Sequence, residues 1–190
     1  MSAKTIVILG GGVGGLVAAN ELARQLSGQH KIVLVEKNTV QAFAPSFLWV
    51  MTGNRSTPQI TRGLQQLLLP RIELVSSEVR SMDLARRHVE TSKGFLSYDY
   101  LVVSLGSELA PETVPGLPGD FRTFFTLEGS ARLHDALRSF DRGTIGVVIC
   151  SLPYKCPGAP HEAVMLIDNL FRRRKIRRQV DIYLFTPETQ

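Results

Sequence analysis

The sequence predicts an α/β chain in which a strand–helix–strand unit occurs twice. Three observations predict it. Thr5-Ile6-Val7-Ile8-Leu9 is a short apolar run that ends in a glycine cluster, and apolar residues at helical spacing follow it. Lys31-Ile32-Val33-Leu34-Val35-Glu36 is a second run, rich in β-branched residues and too short for a helix. The same order restarts at Thr144 and closes with Val180-Asp181-Ile182-Tyr183-Leu184-Phe185. Short continuous apolar runs alternating with helical periodicity mark parallel strands covered by helices.

In chain order, a strand over 4–9 leads through the glycine turn into a helix over 13–27, with Leu16, Ala19, Ala23 and Leu26 on one face. The strand at 31–36 follows, parallel to the first, and residues 37–57 read as an irregular connection. Ser56 or Thr57 caps a helix with Pro58 in its first turn, running to Leu69, where Pro70 stops it. Its leucines Leu64, Leu67, Leu68 and Leu69 make a core face. Ile72-Glu73-Leu74-Val75 is a short strand. From Val79 to Tyr98 the texture is that of a β-meander, with turns at the charged stretch before His88 and at Lys93-Gly94. Tyr100-Leu101-Val102-Val103-Ser104 returns as a buried strand, and Pro111, Pro115 and Pro118 mark an extended linker. A helix over 127–140, a buried strand Thr144–Cys150, a proline-rich loop, a helix over 161–175 and a strand over 180–185 form the second unit. The expected division is a first domain over 1–110, then a linker and the first strand–helix–strand unit of a second module over 111–190. One helix and two strands cannot cover both faces of a parallel sheet, so the second module reads as the start of something longer.

The net charge of +5 is local. Six of the 22 basic residues lie between Arg172 and Arg178, leaving 16 basic against 17 acidic residues elsewhere, so a nucleic-acid-coating surface is not expected. The run reads as the solvated end of a helix, with an anionic membrane surface as the functional alternative. Two cysteines in this length make no disulfide scaffold. His30, His88 and His134 have no metal-ligand spacing, and no metal is expected. The chain opens on a strand rather than a signal peptide, and no run approaches the roughly 18 apolar residues of a membrane span. A cytoplasmic or peripheral membrane location is the expectation.

Gly10-Gly11-Gly12-Val13-Gly14-Gly15 fits G-x-G-x-x-G. Gly10 permits the tight turn, Gly12 lets a pyrophosphate approach the backbone, and Gly15 lets helix and strand pack closely. The helix N-terminus offers amide groups to the anion. Glu36 ends the second strand, where an acid accepts from ribose hydroxyls. Strand, turn, helix and acid in this order make a Rossmann-like dinucleotide fold, and by themselves leave NAD and FAD both open.

The segment Tyr98-Asp99-Tyr100-Leu101-Val102-Val103-Ser104-Leu105-Gly106-Ser107 resembles the strand that follows the meander and closes the FAD domain in two-dinucleotide-domain flavoproteins, with Leu105 where threonine is usual. That resemblance implies FAD, with Val79 at the adenine and Gly106 near the cofactor. In those proteins a second glycine fingerprint binds NAD(P)H, whereas Ser151–Pro160 here holds one glycine and three prolines. Proline removes donors and side chains block the close approach, so pyridine-nucleotide binding is not expected there.

Two further segments resemble the sulfide:quinone oxidoreductases and flavocytochrome c sulfide dehydrogenases: Phe43-Ala44-Pro45-Ser46-Phe47-Leu48-Trp49-Val50 and Cys156-Pro157-Gly158-Ala159-Pro160-His161-Glu162. The resemblance covers about the N-terminal half of such an enzyme. It implies oxidation of sulfide or a related sulfur species at Cys156, proton handling at Glu162, and electron transfer through noncovalent FAD to a quinone. Pro45 and Ser46 join the cofactor set, and a membrane surface and a second copy of the chain are the implied partners. Lys155, His161 and the helix N-terminus would favour a Cys156 thiolate. Three departures stand out: no partner cysteine, none over 37–50 where flavocytochromes link their flavin, and none near Phe121–Thr126. Cys150 reads as a buried structural residue, and a Cys150–Cys156 disulfide is left open, since it depends on Cβ geometry. The other readings are a type II NADH dehydrogenase-like flavoenzyme and a noncatalytic flavin-binding module.

Overall fold

The first apolar run becomes β1 (Thr5–Leu9), followed by α1 (Val13–Gln25) and then β2 (Lys31–Glu36), which lies parallel to β1 with Val7 opposite Val33. The computed structural model describes residues 2–117 and 121–187, so Pro118 and the end of the expected linker lie outside the described residues. The chain divides into two compact units, Met1–Ala42 with Thr61–Glu108, and Phe43–Ile60 with Leu109–Gln190.

In the first unit, β3 (Val40–Ala42) and β4 (Thr61–Gly63) form a short antiparallel ribbon. β5 (Ile72–Ser76) pairs parallel with β2. β6 (Val79–Asp83), β7 (His88–Thr91) and β8 (Gly94–Ser97) are the expected meander, and β9 (Tyr100–Val103) pairs parallel with β1. The central sheet therefore runs β5-β2-β1-β9. Side chains alternate across it, which is why the continuous apolar runs were needed. Ile6, Ile8, Ile32 and Leu34 pack with Ala19 and Ala23 of α1, while Val7, Leu9, Val33 and Val35 pack with Val89 of the meander. Each such fully buried side chain contributes roughly 1.5–3 kcal/mol. Arg71 closes the far end of α1, its guanidinium donating to the carbonyls of Ala23, Leu26 and Ser27. Asp99 ties β9 to β1 by accepting from the Thr5 amide and Lys4 Nζ, each at 2.8 Å. The Lys4 contact first, then the Thr5 amide, holds its carboxyl below the ordinary 3.8.

Three expectations for this part of the chain are corrected. The helix expected to run to Leu69 is a single turn, Thr57–Ile60, because Thr61, Arg62 and Gly63 pair with β3 instead, Thr61 facing Ala42 and Gly63 facing Val40. β-Branched Thr61 and Gly63 are poor helix residues, so the ladder wins. The leucines still serve the core: Leu64 and Leu68 are buried, within and just after a 3-10 turn at Leu64–Leu67. The connection expected to be irregular carries β3, a 3-10 turn at Ala44–Ser46 and a short helix. β9 is only half-buried, since it is the last strand of the four-stranded sheet.

The second unit contains α2 (Phe47–Met51), α3 (Thr57–Ile60), α4 (Leu127–Ser139), β10 (Gly143–Val148), α5 (Gly158–Arg173) and β11 (Val180–Phe185). Thr126 Oγ1 accepts from the Gly129 amide and so caps α4. β10 and β11 pair parallel, and Val147 and Val180 pack with Ala163, Ile167 and Phe171 of α5, with Leu137 of α4 and with Leu48 and Met51 of α2. β10 is not the buried strand the sequence suggests. Thr144, Gly146 and Val148 are exposed and alternate with inward Ile145 and Val147, because this two-stranded sheet is packed on one face. α5 begins a turn earlier than expected, at Gly158, since Pro160 sits in its first turn, where a missing amide hydrogen has no cost.

The basic run is exposed, as expected, at Arg172, Arg173, Lys175 and Arg178, and several of its side chains also bond within the protein. Arg172 and Arg177 both donate to Asp168, Arg173 to Asn54 Oδ1, and Arg174 Nη1 to the carbonyls of Leu137 at 2.7 Å and Phe140 at 2.9 Å. Arg174 also stacks on Phe171, its guanidinium carbon 5.5 Å from the ring centre. Lys175, at φ 61, ends α5 in a Schellman turn, with the Ile176 amide reaching the Phe171 carbonyl. The Arg172 contact first, then Arg177, holds the Asp168 carboxyl below its ordinary 3.8. A depressed carboxylate contributes stability above the unfolded value and loses it as pH falls through the folded one. Asp168→Asn should therefore lower the thermal midpoint of the protein at pH 7, and the gap from wild type should close below about pH 3.8. A gap that persists unchanged at pH 3 in scanning calorimetry would refute this account of the cluster.

Candidate functional site

The first unit holds the glycine turn. Gly10 takes φ +97, and a methyl group on it would lie 2.3 Å from the Ser104 carbonyl oxygen. A methyl on Gly15 would lie 1.8 Å from the Gly10 carbonyl oxygen and 2.8 Å from Ser104 Oγ. These two positions are closed by the protein itself. Gly12 differs: a methyl there meets nothing within 4 Å, so its side is open. Gly12 is also the cap residue immediately before α1, whose first-turn amides have no intrahelical acceptors. An open glycine at the positive end of a thirteen-residue helix is a place where an anion can touch backbone.

Glu36 stands beside it, at the end of β2. Its Oε2 accepts from the Gly11 amide at 2.7 Å, and its Oε1 accepts from the Asn38 amide and Asn38 Nδ2, both at 2.8 Å. The turn and the acid are thus joined by a direct hydrogen bond. The residues present fit a dinucleotide: backbone donors and an open glycine for pyrophosphate, and a half-buried carboxylate for a ribose. Val79 opens β6 at a register irregularity, opposite Thr91, and Gly106 is exposed at φ +77 after β9. Three contributors were not picked out from the sequence. Gly11 must lack a side chain, because a methyl would lie 2.8 Å from Glu36 Cγ. Ser104 Oγ donates to the Leu9 carbonyl at 2.8 Å and secures the strand end. Asn38 holds the acid. Only Gly11 carried a signal, as the middle of a glycine triplet.

The second unit holds Pro45, Ser46, Cys156 and Glu162. Pro45 is exposed and Ser46 buried, in the 3-10 turn before α2. Cys156 is exposed and sits two residues before α5 with φ 56, in the left-handed region where a side chain is uncommon. Its carbonyl accepts from the Ala159 amide at 3.0 Å, and the Pro157 carbonyl lies 3.4 Å from the Tyr154 hydroxyl and 3.2 Å from His161 Nδ1. The loop is therefore tied back onto the first turn of α5, leaving the Cys156 side chain outward. Glu162 is exposed just after that turn. Cys150 is corrected: it is exposed, not buried, because it lies past the end of β10, and both cysteines are free. Among the described residues no cluster could hold a metal ion, and no helix is long and apolar enough to cross a membrane.

The sequence model of the family described as pyridine nucleotide-disulphide oxidoreductase matches residues 4–150, from the first strand through β10. The chain belongs to that family. Among its relatives within and around the family, a sulfide-quinone reductase of Aquifex aeolicus is 31% identical over 98% of this chain and 44% of its own length. The mitochondrial sulfide:quinone oxidoreductase of Mus musculus is 25% identical over 95% of this chain and 41% of its own. The chain thus spans less than half the length of these relatives. The crystal structure of the Aquifex aeolicus sulfide:quinone oxidoreductase superposes on 96% of this chain, using 43% of its own, with a TM-score of 0.83 and 27% identity. The family match thus includes the glycine turn and ends at residue 150, before the cysteine loop, while the likeness in fold covers 96% of the chain.

Proposed function

We propose that this chain is the flavin-binding part of an FAD-dependent, quinone-linked oxidoreductase that oxidises sulfide or a related sulfur species. The observation that carries the reading is the cysteine loop. Cys156 is held outward and exposed at the start of α5, at the place where a nucleotide-binding unit would present a glycine cradle. Pro157 and Pro160 take donors away from that helix end, and the Ala159 amide is already bonded to Cys156. The second unit is thus built to present a thiol, not to seat a pyridine nucleotide. Likeness to proteins named as sulfide:quinone oxidoreductases supports the same direction.

In this reading Gly12 and the first-turn amides of α1 would hold the pyrophosphate and Glu36 the ribose, with Val79 and Gly106 of the same unit completing its share of a noncovalent site; the cofactor roles of Pro45 and Ser46 rest on the resemblance of their segment. Bound FAD supplies a two-electron acceptor. The Cys156 thiol would take up the sulfur of hydrosulfide as a persulfide anion: one S–S bond would form, the thiol and hydrosulfide protons would leave, one of them to Glu162, and a bound flavin would supply the acceptor for the electron pair released, with quinone as the final oxidant. A membrane surface supplies the quinone.

Anaerobic mixing of the full-length protein with sulfide, NADH or NADPH tests the proposal. The chromophore released on denaturation should be FAD, sulfide should bleach it, and the nucleotides should do so poorly. Colourless protein that takes up no FAD rejects the cofactor assignment. Rapid, saturable bleaching by NADH replaces the sulfide reading with a type II NADH dehydrogenase-like one.

A further inference from the structure

Glu36 is more constrained than its position alone requires. A carboxylate has about four acceptor sites, two on each oxygen. Both sites of Oε1 are filled, by the Asn38 backbone amide and by Asn38 Nδ2, each at 2.8 Å. On Oε2 one site is filled by the Gly11 amide at 2.7 Å. A single acceptor site is left, on Oε2. The amide orientation at Asn38 follows from chemistry, since only its NH2 can face a carboxylate.

We propose that Asn38 is a positioning residue for the nucleotide: it saturates Oε1 of Glu36 and so restricts this acid to one of the two ribose hydroxyls of a bound adenine dinucleotide. The inference rests on the FAD reading above. A plain acid at the end of β2 could accept both hydroxyls; here Oε1 is closed by a side chain that is itself exposed and packs into no core. Fastening the turn at residues 36–38 would need only the backbone amide of Asn38, which already bonds Oε1. The second bond, from the side chain, is surplus to the turn and acts on the acid.

The test measures binding of FAD and of its 2′-deoxyadenosine and 3′-deoxyadenosine analogues to the flavin-stripped full-length protein. Wild type, Asn38→Ala and the isosteric Asn38→Asp are compared by quenching of flavin fluorescence. A hydrogen bond to a charged acceptor corresponds to about a tenfold change in affinity or more. Wild type should therefore lose about tenfold with one deoxy analogue and little with the other. In Asn38→Ala a site opens on Oε1, both hydroxyls are accepted, and the discrimination between the analogues should collapse. Asn38→Asp places a second anion against Glu36 and should weaken all three ligands while its thermal midpoint stays near that of wild type. A merely structural residue would weaken all three ligands in Asn38→Ala by one factor and leave the discrimination intact, which overturns the proposal. Equal sensitivity of wild type to both hydroxyls also overturns it. Wild type that binds no FAD at all rejects the parent reading together with this one, whereas tight FAD binding with unchanged discrimination rejects this one alone.

Discussion

In the full-length protein, Cys156→Ser should abolish reduction of the flavin by sulfide while leaving FAD bound. The substitution is close to isosteric, and residue 156 is exposed, so nothing in the core of the second unit is disturbed. Serine can occupy the same left-handed backbone at no greater strain than cysteine, so the loop and its bond from the Ala159 amide persist. The glycine turn and Glu36 belong to the first unit and are untouched. What is lost is sulfur chemistry: a serine hydroxyl stays protonated near neutral pH and cannot carry a persulfide. Cys150→Ser is the control, because that residue also is exposed and free. Stopped-flow mixing with sulfide, following the flavin band, reads both variants. Wild-type rates in Cys156→Ser with loss in Cys150→Ser would move the chemistry to Cys150. Wild-type rates in both would remove cysteine-borne sulfide chemistry altogether.

The glycines of the turn should separate into two kinds. Gly15→Ala drives a methyl to 1.8 Å from the Gly10 carbonyl oxygen, and a Cβ has no rotamer that relieves it. α1 must move off β1 and away from the packing of Ala19 and Ala23 against Ile6 and Ile8. Overpacking of this kind costs about 3 kcal/mol, enough to lower the thermal midpoint by many degrees and to empty the protein of flavin. Gly12→Ala has no such clash, and its φ of −71 suits any residue. Its stability without cofactor should fall by no more than about 1 kcal/mol, the usual cost of alanine at a helix cap. Flavin affinity should nevertheless fall, because the methyl occupies the open side where pyrophosphate meets the backbone. Calorimetry of the flavin-stripped variants and flavin-to-protein ratios after reconstitution distinguish the two. If Gly12→Ala retains full flavin while Gly15→Ala folds normally, the roles given to these glycines are wrong.

Much of this fold is readable along the chain because the deciding interactions are local or periodic. The runs at Thr5–Leu9 and Lys31–Glu36 can only be strands buried on both faces, and the helix-period residues between them require a parallel return. The turn from Gly10 to Gly15 is legible because Gly10, Gly11 and Gly15 each answer a local steric demand, while Gly12 leaves its side open. Cys156 stood out by its neighbours in sequence rather than by any property of its own. The reading failed where local preference met a competing partner. Thr57–Leu69 has a capping serine, an N-terminal proline and a leucine face, all helix signals, yet Thr61–Gly63 joins a β-ribbon. Gln59 Oε1 accepts from the Ser56 amide and completes the cap, so the start was right and the length wrong.

The sequence by itself determined the order of strands and helices outside residues 37–69, the glycine turn, the acid at Glu36 and the cysteine loop, because spacing and residue type suffice for each. Tertiary structure alone decided that residues 43–60 belong with the second unit, that Cys150 is exposed, and that Arg172 and Arg177 are spent on Asp168. It alone revealed that Gly11 and Asn38 grip the Glu36 carboxylate from either side. The reason is the same throughout: a partner's side chain or strand, not spacing along the chain, supplies the energy in each of these cases, and a linear pattern carries no record of which partner arrives.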